Sequence, residues 1–152
     1  MRGFYLTIQL LKDLLEEDIN VHTIVHGLKS TMDINKKNIF PLAHLQVTSS
    51  TADNQYISFT FEVAVLDIRN ISKKIVTDKF LQNDNELDNL NTTHAVLNRL
   101  ITKLRLRNNT DKIELNNIPT ITPIIFEEMN LLDGWRTEIE LIIPNTEINV
   151  CQ

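Results

Sequence analysis

The chain has 152 residues, 42% hydrophobic and 23% charged, the profile of one folded domain and not of a disordered or fibrous chain. Its 15 Lys and Arg against 20 Asp and Glu leave a net charge of -5. That argues against the basic stripe a phosphate-binding surface needs and disfavours an anionic membrane as partner.

The first helix is expected over residues 4–18, with Phe4, Ile8, Leu11 and Leu15 at helical spacing and Leu14 widening the stripe. Residues 21–26 alternate as a short strand. Residues 28–40 read as a long polar loop, and Pro41 opens a second strand with Ala43, Leu45 and Val47 on one side and His44, Gln46 and Thr48 on the other. The clearest strand spans 55–68. Ile57, Phe59, Phe61, Val63 and Val65 line one side of it; the other is polar at Tyr56, Ser58, Thr60 and Glu62 and turns apolar at Ala64, Leu66 and Ile68. One face is therefore buried along its length, the other only at the end. The short connection Thr51–Asn54 suits an antiparallel hairpin.

Residues 69–84 show no period and read as an extended arm or long loop. A second helix follows from about 85 to 106, with Leu87, Leu90, His94, Leu97, Ile101 and Leu104 as its stripe. Asn83 or Asp84 is its expected N-cap, with Glu86 completing a capping box from Asn83. Residues 118–128 are β-rich but carry Pro119 and Pro123, as an edge strand does. Asp133-Gly134 reads as a tight turn. Trp135, Thr137, Ile139, Leu141 and Ile143 then face one way along a last strand. The expected fold is a single α+β domain over residues 1–152. Its mainly antiparallel sheet has about five strands, both helices pack on one face, and the order is helix, three strands, helix, two strands.

Chemistry is sparse in this sequence. Cys151 is the single cysteine, so no internal disulfide can form. His22 and His26 on one side of a strand would stand about 13 Å apart and lack a third ligand, so no metal site is assigned. His94 reads as a histidine at the core edge. Glu16-Glu17-Asp18 and Glu127-Glu128 read as solvated faces. With three glycines there is no phosphate loop or dinucleotide fingerprint, and no catalytic residue or cofactor is expected. The N-terminal apolar stretch is broken by Gln9, Lys12 and Asp13, unlike a signal peptide, and no run is long enough to span a bilayer. A cytoplasmic origin is expected. The most suggestive group is Ile75, Val76, Phe80 and Leu81, large apolar residues in a Lys-bearing irregular stretch. Either that stretch folds back as a sheet edge and buries them, or it protrudes and docks on a neighbouring subunit. The four are the candidate subunit-interface residues.

Several short stretches, in this order and spacing, resemble the tail terminator (tail completion) proteins of tailed bacteriophages, especially small forms from phages of Bacteroidetes-type hosts. They are Ile39-Phe40-Pro41-Leu42-Ala43-His44, Thr77-Asp78-Lys79-Phe80, Asn83-Asp84-Asn85-Glu86, and Gly134-Trp135 leading into the last strand. The resemblance implies a structural virion protein of the tail and neck region, with no active site. It would form a hexameric ring that caps the tail tube and meets a head-completion or stopper protein. DNA would pass through the lumen without specific binding. The alternatives are another tail or neck part, such as a tube, sheath-associated or baseplate protein, or a small ligand-binding or enzymatic α+β domain.

Overall fold

The computed structural model describes residues 3–27, 40–70, 77, 79–80, 84–106, 112–125 and 131–145. Helix α1 (Gly3–Glu16) leads into β1 (Thr23–His26), β2 (Leu42–Ala52) and β3 (Tyr56–Ile68). Helix α2 (Glu86–Leu106) follows, then β4 (Glu114–Leu115), β5 (Ile121–Ile124) and β6 (Leu132–Pro144). The class is α+β, as expected. Among the described residues the sheet departs from expectation in being mixed and six-stranded, ordered β1-β2-β3-β6-β4, with β5 also on β6. Strand β1 lies parallel to β2, Thr23 opposite Leu42. Residues 27–41 give the chain the length that a parallel return requires. Strand β4 escaped the sequence reading because two residues carry no alternation.

The β2–β3 hairpin forms as anticipated, with a bulge between Val47 and Ser49. Strand β6 pairs antiparallel with β3 over its whole length, from Tyr56 opposite Pro144 to Ile68 opposite Leu132. Alternation decides the faces. The odd-numbered apolar residues of β2, β3 and β6 form one floor, and both helices pack on it. Phe61, Val63, Val65, Ile139 and Leu141 are fully buried there against Leu11, Leu15 and Leu97. The Phe4 ring of α1 sits 5.5 Å from Phe59 and 6.3 Å from Phe61. Burying each large side chain here stabilises by roughly 1.5–3 kcal/mol.

The opposite face is covered at one end only. Phe40, Leu42, Ala64, Leu66, Ile124 and Leu132 form a second, smaller core. His44, which alternation placed on a polar side, is fully buried on this face, its Nε2 against the Gly27 carbonyl. Its Nδ1 has no hydrogen-bond partner among the described residues. Towards the hairpin tip the same face is wet, with Ser49, Thr51 and Glu138 exposed.

Asp133-Gly134 is not a turn. Both residues lie inside β6, Gly134 opposite Leu66. A Cβ on Gly134 would stand 1.9 Å from the Val65 carbonyl oxygen, so it is the neighbouring strand that demands glycine here. The reversal between β5 and β6 falls earlier, between Ile124 and Leu132, where Leu131 takes φ 51°. β5 pairs with β6 and carries Pro123, as the edge reading required.

The α1 stripe stands as expected, with Phe4 and Ile8 packed on the core beside buried Leu11, Leu14 and Leu15, and Thr7 and Leu10 widen it. The first half of α2 is rotated from its expected stripe. In the first half of α2 the buried positions are Asn89 and Thr93; Leu87 and His94 are exposed. Hydrogen bonding explains this. Asn89 donates from Nδ2 to the Ile68 carbonyl at 3.0 Å, and the Thr93 hydroxyl donates to the Asn89 carbonyl at 2.6 Å. Polar side chains with satisfied bonds replace apolar ones on that face.

Candidate assembly surface

The expected arm leaves β3 after Ile68 and rejoins at α2, and both of its ends are tied down. The Asn70 amide donates to Asn85 Oδ1 at 2.8 Å, and Asn85 and Asn89 each donate from Nδ2 to the Ile68 carbonyl. Beneath them Arg69 is buried. Its Nε and Nη2 donate to the two carboxylate oxygens of Asp133 at 2.8 and 2.6 Å, and Nη2 also reaches Glu86 at 3.0 Å. A bidentate pair with both partners out of water is strong, and leaves a costly lone charge when one side is removed. These bonds raise the Arg69 pKa against the opposing effect of burial. Glu86 is thus engaged by Arg69; Asn83, its expected capping-box partner, lies outside the described residues, and Asp84 takes φ 55° just before the helix.

Of the candidate interface residues, Ile75, Val76 and Leu81 lie outside the described residues. Phe80 is described and is 68% exposed. Two further large apolar residues are exposed where α2 begins and β5 ends, Leu87 at 43% and Ile125 at 52%. The Trp135 indole donates to the Leu90 carbonyl at 2.8 Å, and Ile124 lies opposite Gly134, so α2 and β5 are both tied to the start of β6. The sequence reading missed both as surface: Leu87 fitted the helix stripe and Ile125 the strand. His94 is exposed and packs edge-on against Trp135, which borders the core, with centroids 5.1 Å apart.

His22 and His26 line a groove between α1 and β1 with Lys12, Glu16, Ile8 and Ile24. No group of three His, Cys, Asp or Glu able to hold a metal occurs among the described residues. Two carboxylates have shifted affinities for protons. Burial raises the pKa of Asp67, only partly offset by the Ile68 amide and by the charge of His22. At Asp18 burial also acts upward, but the hydrogen bond from Arg99, the Asn20 amide and the charges of Arg99 and Lys103 together hold it below the usual carboxylate value. Asp18 accepts from Arg99 at 2.7 and 2.9 Å, and Glu17 accepts from Lys103 at 3.1 Å, so the end of α1 is clipped to α2. No helix among the described residues is long and apolar enough to cross a membrane. No family model and no curated protein matches this sequence.

Proposed function

We propose that this chain is a structural subunit of a tailed-phage virion, a tail terminator that closes into a ring, six-fold by the resemblance, on the tail tube and faces the head-completion protein. The observation that carries this reading is the exposed Phe80 in the stretch that the sequence singled out, with Leu87 at the start of α2 and Ile125 after β5 also exposed. Large apolar side chains left in water beside a clamped connection support an interface there. A clamp that ties both ends of the arm to Ile68 and Arg69 lets residues 71–83 engage a neighbour without loosening the sheet. Ring closure needs a heterologous contact, in which one patch meets a different patch on the next copy. A net charge of -5 suits a lumen that lets DNA slide.

Phe80→Ser combined with Leu87→Ser tests the patch. The variant should keep the wild-type melting temperature, since both side chains are exposed, and lose any ring seen by native mass spectrometry with the wild type. Deleting residues 70–82 should likewise give a folded monomer. Rings that persist in either variant rule the patch out, and a monomer holding a small molecule in the α1–β1 groove would favour the ligand-binding alternative.

A further inference from the structure

Two acids face each other across the sheet where β3 ends and β6 begins. Asp67 is opposite Asp133 in the ladder, one rung inside the last pair, Ile68 and Leu132. Directly opposed side chains stand about 4.5–5.5 Å apart at Cβ, and like charges there work against pairing. A second such pair, Glu62 opposite Glu138, lies on the wet face, where Glu138 is exposed and water screens the charges. Asp67 and Asp133 lie on the helix face instead. Asp133 has no exposed surface and Asp67 is half-buried, so the push between them is screened less. The surrounding charges do not balance. Arg69, two residues on, gives two bonds to Asp133 and one to Glu86 of α2, and the charge of Asp84 also acts on it. The hydrogen bond that Asp67 accepts comes from the amide of its own neighbour, Ile68, at 2.8 Å. Burial opposes the ionisation of Asp67 most, and Asp133 adds to it; the Ile68 amide and the charge of His22, just before β1, favour it.

The same rungs root the connection to α2. Just beyond the ladder the Arg69 amide donates to the Leu131 carbonyl at 2.7 Å, and the Asn70 amide donates to Asn85 at 2.8 Å. We infer that the Asp67–Asp133 pair is a proton-responsive latch at this root, looser when both carboxylates are charged and tighter when Asp67 carries a proton. With both charged, the push between them falls on the rungs that carry Arg69 and Asn70. A proton on Asp67 removes that push and leaves the bonds from Arg69 to Asp133 in place. The sign is opposite to that of a salt bridge broken by acid: mild acid fastens the connection and neutral pH eases it. Burial raises the Asp67 pKa, so the change is centred above the ordinary carboxylate value of 3.8. It is therefore complete before the Asp18 contact, held below that value, is lost. The latch belongs to the single subunit and does not depend on ring formation.

Amide hydrogen exchange followed by NMR from about pH 7.5 to about pH 4.5, each rate divided by its unstructured value at the same pH, tests this. Protection at Arg69 and Asn70 should rise roughly two- to fivefold as the pH falls. Asp67→Asn keeps an acceptor for the Ile68 amide and should show the higher protection already at neutral pH. Glu62→Gln, which relieves the opposed pair on the wet face, should leave both amides as in the wild type. Protection that is flat with pH in the wild type, or that keeps its full pH dependence in Asp67→Asn, overturns the inference. So does a Glu62→Gln variant that matches Asp67→Asn, because the effect would then be one of net charge.

Discussion

Strands β2, β3 and β6 run the length of the molecule, yet their two ends are built differently. Near Leu42–Leu45, Val63–Leu66 and Leu132–Trp135 the sheet is buried on both faces and holds an ion cluster and a backbone contact closer than any side chain allows. Towards the hairpin tip only the helix face is dry; the other shows Ser, Thr and Glu to water. The same pairing pattern therefore carries very different mutational sensitivity along its length. The closed end fixes the fold and anchors the arm. The open end is free to vary or to bind.

The largest contrast should come from Gly134→Ala. Its new methyl meets a carbonyl, which cannot rotate away as a side chain could. We expect loss of more than about 4 kcal/mol or failure to fold, read by denaturant titration. An Ala tolerated there would erase the distinction between the ends. Next, Arg69→Met should cost about 3–5 kcal/mol by stranding buried Asp133. Arg69→Met with Asp133→Leu should recover most of it, since removing both charges removes the penalty. A double variant no better than the single would mean that the cluster acts through shape and not charge. At the open end, Ser50→Lys should change the monomer's stability by less than about 0.5 kcal/mol.

Two smaller effects depend on pH, with opposite signs. The folded-state pKa of Asp18 is depressed, so its contribution is present above the unfolded value near 3.8 and is lost as pH falls through the folded value. Asp18→Asn should cost on the order of 1 kcal/mol at pH 7, limited by the partial exposure of Arg99, and the difference from wild type should vanish in acid. The pKa of Asp67 is raised, so its ionised form opposes folding at neutral pH. Asp67→Asn should stabilise by roughly 0.5 kcal/mol at pH 7 and by nothing below the unfolded value. Thermal melts over a pH series check both.

The strands were legible where alternation was strong. Ile57 to Val65 announced a face buried throughout, and Ala64 and Leu66 announced the change on the other face. Signals that serve two purposes were misread. Glycine after aspartate suggested a turn at 133–134, but that glycine answers to Val65, across the sheet and distant in sequence. Asn89 and Thr93 fell outside the expected helix stripe and are buried, because the partner of Asn89 is the Ile68 carbonyl at the far side of the arm. The parallel placement of β1 left no local mark, since parallel pairing depends on a return that strand composition does not encode. For the assembly surface, an irregular apolar stretch singled out Phe80. Leu87 and Ile125 became visible only in the fold, which ties their elements to β6 at Trp135 and Gly134.

The central claim is that this subunit works by meeting copies of itself head to tail through the surface that carries Phe80. Native mass spectrometry of the wild-type protein, alone and with its tail tube, tests it most directly. A finite closed ring, six subunits in number, is the predicted species. A chain that stays monomeric in both conditions, or that grows into open-ended tubes, contradicts it.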